Sequence, residues 1–324
     1  MSAGATAAAA AAAAAERTVA CAFAPASVGN VAIGFDILGF SVDAIGDRAT
    51  VRRIAAPEVT VSAIRGVVPD LPREAAHNTA GRALMAMREA LGLEFGFELE
   101  LDKGIPLSSG LGGSAASAVA AVVAANALLS QPRSPLELLK YAMHGEAVAS
   151  GSMHVDNIAP SLFGGLVLTV GIDHPRVKQI PVPPAIRAVI VHPHMFISTR
   201  QARAILSETV KMADFVWQTA NLAGFISGCY TNDLDMVRES FEDVVIQPQR
   251  AALIPGFAEV RRAALSAGAL GCSISGAGPT IFAWCLETQA RAVSTAMVQE
   301  FSHHGLKADH WITQVAPTGA RVID

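Results

Sequence analysis

From Arg17 onward, short runs rich in Val, Ile and Phe alternate with turns, which predicts strands over 18–23, 37–44, 49–54 and 59–64. Between Pro72 and Gly92, the apolar positions Ala80, Leu84, Met87 and Leu91 recur every three to four residues, predicting a helix over 72–91 with Pro72 in its first turn and Gly92 as its stop. The period then changes. Phe95, Phe97, Leu99 and Leu101 alternate with Gly96, Glu98, Glu100 and Asp102, the pattern of a strand with one wet face. A glycine-rich loop over 104–113 follows, with Ser114 placed to cap a helix over 115–129, and a further helix is predicted over 134–150. Strands over 164–170 and 185–192 flank the proline-rich stretch 181–184, near which a domain boundary is expected. Helices over 199–206, 213–230, 234–245, 257–267 and 288–303 and a strand pair flanking 276–279 complete an interleaved α+β chain without an internal repeat.

Composition narrows the class. At 324 residues, with 52% hydrophobic and 16% charged residues, the chain has material for two packed domains. Residues 1–16, which hold the alanine run 7–15 with no positively charged start, are set aside as a low-complexity tail, leaving expected domains over 17–182 and 183–324. A net charge of −4 supplies no field to hold nucleic acid. Cys21, Cys229, Cys272 and Cys285 have no paired spacing for a zinc site or a disulfide framework, which fits a cytoplasmic protein. The apolar stretch 115–129 carries Ser117 and Asn126 and is too short for a membrane span, so no membrane partner is expected.

The strongest chemical signal is Gly104-Ile-Pro-Leu-Ser-Ser-Gly-Leu-Gly-Gly-Ser-Ala-Ala-Ser117, a glycine-rich turn running into an alanine-rich helix. The free N–H groups of a helix start bind anions, and Gly110, Gly112 and Gly113 let phosphate oxygens approach the backbone. Taken alone, the same segment also reads as a tight turn with a capping serine. It is not a Walker A loop, since no lysine lies between Lys103 and Lys140. Gly110-x-Gly112-x-x-Ala115 has dinucleotide-loop spacing, but no Asp or Glu from Lys103 to Leu136 is there to hold a ribose.

Pro106-Leu-Ser-Ser-Gly-Leu-Gly-Gly-Ser-Ala-Ala-Ser117 resembles the phosphate loop of the GHMP kinases, which include galactokinases, mevalonate kinases and homoserine kinases. Ala24-Pro-Ala-Ser-Val-Gly-Asn-Val-Ala-Ile-Gly-Phe-Asp-Ile-Leu-Gly39 is similar to their first motif in its homoserine kinase form, and Ser273-Ile-Ser-Gly-Ala-Gly-Pro-Thr280 to their third. The segments 145–157 and 198–203 are similar to ones peculiar to that branch. The resemblance implies a GHMP kinase fold, with an N-terminal ribosomal protein S5 domain 2-like domain and a C-terminal ferredoxin-like domain. It also implies ATP and Mg²⁺ as cofactors, L-homoserine as phosphoryl acceptor in threonine biosynthesis, and a homodimer.

Carried over residue by residue, the resemblance places ATP on Pro106, Leu107, Ser108, Ser109, Gly110, Leu111, Gly112, Gly113, Ser114, Ala115 and Ala116, with Asn78 at the adenine side. It assigns Mg²⁺ to Ser114 and Glu146, and it surrounds the amino acid with Asn30, Asp36, His154, Asn157, Thr199, Arg203 and Arg250. The chemistry is coherent: Asp36 is an acceptor for an ammonium, and an arginine fork matches a carboxylate. Asn157 stands where other GHMP kinases use an aspartate base, with Asp156 beside it as the weaker candidate; Asn157, Glu146 and Ser114 form the implied catalytic set. Each residue also has an ordinary reading: Asn78 as a helix cap, Asp36 as a turn residue, Arg203 and Glu146 as exposed helix residues. The pairs His192/His194 and His303/His304 read as structural. Ala32, Ser109 and Gly113 depart from the usual glycine, glycine and serine of these motifs. A kinase for mevalonate or a sugar, or a silent nucleotide or amino acid sensor, are the competing functions.

Overall fold

The computed structural model describes residues 17–150, 155–171, 173–315 and 318–323. The first sheet is built from β1 (Val19–Gly29), β2 (Leu38–Ile54), β3 (Val59–Gly66), β4 (Gly96–Lys103), β5 (Leu166–Val170) and β6 (Arg176–Ile180). Its order is β11-β1-β2-β4-β3, where β11 (Arg321–Val322) returns from the end of the chain to pair with Ala22 and Phe23. β3 runs parallel to β4, while β2 runs antiparallel to both of its neighbours β1 and β4, and β5 extends the sheet from β2 to β6. Three helices cover one face: α1 (Thr79–Leu91), α2 (Gly113–Asn126) and α3 (Pro135–Ser150). α2 is alanine-rich on every side and nearly wholly buried, which is why it shows no amphipathic stripe. The short α4 (Ile158–Phe163) follows.

The second unit carries α5 (Thr199–Ala204), α6 (Met212–Thr231), α7 (Leu234–Glu239) and α8 (Gln247–Arg250), then α9 (Phe257–Ser266) and α10 (Ala290–His303). Its sheet is antiparallel, with order β10-β7-β9-β8 from β7 (Ile186–Pro193), β8 (Ala269–Ile274), β9 (Ile281–Leu286) and β10 (Ala308–Thr313). The order in which these strands and α9 and α10 alternate is ferredoxin-like. The period-two rule splits each central strand between two cores. Val189, Val191, Ala283 and Cys285 face α9 and α10, whereas Ala188, Ile190, Phe282 and Trp284 join the core of the first unit.

Several elements differ from expectation. The two strands expected over 37–44 and 49–54 are one strand, Leu38–Ile54, because β2 bulges opposite Pro25 and Ala26 instead of turning. The helix expected from Pro72 begins at Thr79, where the Asn78 side chain accepts from the N–H groups of Ala80 and Gly81. The helix expected over 234–245 stops at Glu239, and the Asp243 carboxylate takes the N–H groups of Val245, Ile246 and Gln247 in a turn. The cap of α2 is Gly112, in a left-handed conformation, and Ser114 lies inside the first turn. Among the described residues no helix is long and apolar enough to cross a membrane, and the four cysteines are free.

Candidate active site

The ends of β1 and β4, the start of α2 and the turn between β8 and β9 converge on a cleft of about 510 Å³. One wall is the phosphate loop. Gly110 and Gly112 have φ of +79° and +66°, and close packing makes glycine mandatory there. A β-carbon on Gly112 would lie 2.1 Å from Ser27 Oγ, and one on Gly110 would lie 2.5 Å from the Ser275 carbonyl oxygen. The loop is also tied to its surroundings: Ser275 Oγ donates to the Gly110 carbonyl at 2.6 Å and Thr280 N to that of Ser109 at 3.2 Å. Thr280 Oγ1 is in turn 3.0 Å from Nδ1 of the buried His192, consistent with a structural histidine. Ser108 also adopts a positive φ, and Ser109 is buried with its Oγ accepting from Leu111 N. Leu111, Ala115 and Ala116 are buried and carry the loop's packing, whereas Pro106 and Leu107 line the cleft.

Ser114 and Glu146 meet above the start of α2, with Ser114 Oγ donating to Glu146 Oε2 at 2.6 Å. Burial pushes the Glu146 carboxyl up to about 7, against the lowering effect of the Ser114 hydrogen bond. A hydroxyl and a carboxylate side by side form an all-oxygen donor set suited to Mg²⁺, which uses one or two protein groups and takes its other ligands from phosphates and water. Among the described residues there is no cluster of three or more carboxylate, histidine or cysteine ligands, so a resident all-protein metal cage is not built here.

The opposite wall begins after β1, where Asn30, Val31 and Ala32 have φ of +70°, +46° and +58°. Such left-handed runs are costly for residues other than glycine and persist where surrounding contacts enforce them. Here Asn30 Nδ2 donates to the Gly276 carbonyl, its Oδ1 accepts from Asp36 N, and Gly276 N donates to the Gly29 carbonyl. Arg203 Nη2 bonds both carboxylate oxygens of Asp36, at 2.7 and 2.6 Å. The guanidinium carbons of Arg203 and Arg250 lie 4.9 and 5.2 Å from the Phe35 ring centroid. Arg250 is buried and donates to the Ala202 and Gly276 carbonyls. The residues expected to grip opposite ends of an amino acid therefore hold each other.

Between the walls, Asn157 Oδ1 accepts from Ser27 Oγ at 3.0 Å. Asp156 is buried beside it, and burial followed by the Asp36 charge pushes its carboxyl up to about 7. Thr199 lines the same cleft, and Ser198 caps its helix. Asn78 also lines it, but its oxygen is committed to capping α1 and its amide donates to the Pro72 carbonyl. His154 lies outside the described residues.

Family comparisons agree with this geometry. Residues 78–165 match the model of the GHMP kinases N terminal domain, and residues 225–303 match that of the GHMP kinases C terminal. The chain is 52% identical over 304 residues to a homoserine kinase of Xanthomonas campestris pv. campestris (strain B100), covering 93% of each chain. The chain belongs to the homoserine kinase family of the GHMP kinases. A homoserine kinase of Xylella fastidiosa (strain M12) is 50% identical, again with 93% of each chain covered. The crystal structure of homoserine kinase from Cytophaga hutchinsonii ATCC 33406 superposes with a TM-score of 0.91 at 42% identity, covering 95% of this chain and 98% of that one.

The homoserine kinase motifs gather almost all the expected residues, yet motif reading missed what lies beneath them. Lys103 and Asp47 are buried under the phosphate loop and paired with each other. The signal was present in the pattern. Lys103 follows Phe97, Leu99 and Leu101 on the inward face of β4, and Asp47 precedes Ala49 and Val51 on the inward face of β2. Two opposite charges in inward registers predict a buried pair.

Proposed function

We propose that this chain transfers the γ-phosphoryl group of ATP, as its Mg²⁺ complex, to the hydroxyl of L-homoserine, giving ADP and O-phospho-L-homoserine. The observation that carries the reading is the placement of a glycine-rich helix start and an Asp36, Arg203 and Arg250 charge cluster on facing walls of one cleft. In this reading, loop N–H groups and the α2 start hold the nucleotide phosphates. Ser114 and Glu146 hold Mg²⁺, which when bound neutralises charge on the transferring group. Asp36 exchanges Arg203 for the substrate ammonium, and the freed Arg203 with Arg250 takes the carboxylate. A zwitterion suits that exchange, since one internal ion pair is replaced by two to the ligand.

Asn157 orients the attacking hydroxyl, whose oxygen bonds to the γ-phosphorus as the bond to the β,γ-bridging oxygen breaks. A loose transition state demands little activation of the nucleophile, so positioning and electrostatics carry the catalysis, and the hydroxyl proton leaves late, passing to an oxygen of the transferred phosphoryl group and from there to solvent. The homodimer belongs to the same reading; light scattering on the eluted protein is expected to give twice the 33.5 kDa chain mass. The deciding experiment is ADP release from MgATP with L-homoserine, mevalonate, galactose or no acceptor. Turnover is expected with homoserine alone and is expected to stop with EDTA; turnover with mevalonate or galactose in its place refutes the reading.

A further inference from the structure

The buried pair beneath the phosphate loop has no part in the chemistry above, yet it touches both ends of that loop. Asp47 Oδ1 accepts the N–H groups of Gly104 and Ile105, at 3.0 and 3.2 Å, where the loop leaves β4. Asp47 Oδ2 lies 2.7 Å from Ser117 Oγ and also accepts from Lys103 Nζ. The Lys103 ammonium then donates to the Gly113 carbonyl at 2.8 Å and to Ser117 Oγ at 2.7 Å, where the loop becomes α2. Its three protons thus have three acceptors, and the carboxylate has a donor for each lone pair in reach. Asp47 is fully buried, and Lys103 is 4% exposed at the base of the cleft.

A buried ion pair adds little net stability, because desolvating two charges offsets their attraction. What it fixes is conformation. The loop contains Gly104, Gly110, Gly112 and Gly113, whose freedom has to be removed before its N–H groups can converge on a phosphate. A loop held at entry and exit in advance binds without that ordering cost. We propose that Lys103 and Asp47 are positioning residues for nucleotide binding, locking both ends of the phosphate loop in the anion-binding geometry. This rests on the reading of the loop as the ATP site and not on the identity of the acceptor.

The test is Asp47→Asn, which keeps size and removes charge. An amide cannot accept from Gly104 and Ile105 on one side while also accepting from Lys103 on the other, so one end of the loop loses its clamp. Nucleotide Kd, read by titration with a fluorescent ATP analogue in the absence of acceptor, is expected to rise about tenfold or more, the scale of one charge-assisted hydrogen bond. The KM for homoserine is expected to stay within about twofold, because Asp36, Arg203 and Arg250 hang on other elements. Ser117→Ala, which keeps the ion pair and removes one arm of the exit clamp, is expected to raise the same Kd by a smaller factor and serves where Asp47→Asn does not fold. An unchanged Kd in folded Asp47→Asn, or in Ser117→Ala where that serves, overturns the proposal. A uniform loss of active protein with unchanged Kd and KM also overturns it, since that is the signature of a merely structural pair. Homoserine turnover by the unaltered enzyme is measured separately, so failure of the acceptor assignment leaves this test standing.

Discussion

At the scale of single residues, the site is a set of acids and bases whose behaviour is set by burial. Glu146 sits against Ser114 with its carboxyl pushed up to about 7 by burial, a state a bound cation would reverse. Glu146→Gln keeps the shape and removes the charge, so kcat is expected to fall by roughly a hundredfold while ATP affinity changes little, because the charge acts on the transition state; steady-state kinetics with equilibrium nucleotide binding checks this. Arg203→Leu removes the guanidinium fork from Asp36 and the cleft, and is expected to raise the KM for homoserine by roughly tenfold or more with ATP affinity nearly unchanged. Asp156 gives a pH signature. Its carboxyl is raised from the usual 3.8 to about 7, chiefly by burial, so the folded enzyme keeps a proton that the unfolded chain has lost. The resulting stability is fully present below about pH 4 and is lost as pH rises through 7, an upper bound of ~4 kcal/mol. Urea melts of the ligand-free enzyme at pH 5 and pH 8 are expected to show a drop that is smaller in Asp156→Asn.

At the scale of elements, periodicity carried most of the fold and failed where a local rule was overridden by pairing or capping. The alternation of Phe97, Leu99 and Leu101 located β4, and the small-residue run after Gly113 located α2. Residues 45–48 lie between two expected strands, but Gly46 and Asp47 pair with Pro25 and Ala24 of β1, and a bulge between Val42 and Gly46 absorbs the irregularity. Pro72 suggested a helix start that Asn78 takes over by capping, so this site candidate proves to have a folding task as well. β10 (Ala308–Thr313) escaped notice because Ala-Asp-His-Trp-Ile-Thr lacks alternation, and pairing along β7 is what makes it a strand. The phosphate loop was legible because its chemistry needs glycines in sequence. Of the contacts that hold it, Ser275 lies within the third motif, whereas the pairing of Lys103 with Asp47 joins residues 56 apart on two strands and belongs to no motif. The loop's dependence on such contacts is testable: in Gly110→Ala the new methyl meets two backbone carbonyls, of Ser275 and Gly278, neither of which can swing away. With φ at +79°, the substitution is expected to destabilise the enzyme by about 2 kcal/mol and to weaken ATP binding, seen as a lower Tm and a higher nucleotide Kd.

At the scale of the whole molecule, the proposed transfer requires that the wall carrying Arg203 and Arg250 keep a fixed distance from the wall carrying the phosphate loop, and the packing ties the two walls together. The phosphate loop meets the third motif through Ser275 Oγ and the Gly110 carbonyl, and the first motif meets the third through Asn30 and Gly276. Behind these polar ties, one aromatic cluster spans both sheets. Phe40 of β2 lies 5.5 Å from Phe282 and 5.7 Å from Trp284 of β9, and Phe225 of α6 lies 5.3 Å from Trp284. The C-terminal strand β11 then pairs back onto β1, so the end of the chain closes on the first sheet. Because these contacts cross between the units on either side of residues 181–184, neither sheet keeps its inner face buried without the other. The enzyme is therefore expected to unfold in one transition, with far-UV circular dichroism and the near-UV signal of buried Trp284 coinciding along a urea series. Phe40→Ala is expected to lower the midpoint by the equivalent of roughly 3–5 kcal/mol, the cost of a large buried aromatic, while leaving the two signals coincident. Separate transitions in the unaltered enzyme would mean that each unit holds its own core and that the polar ties at Gly276 alone align the cleft.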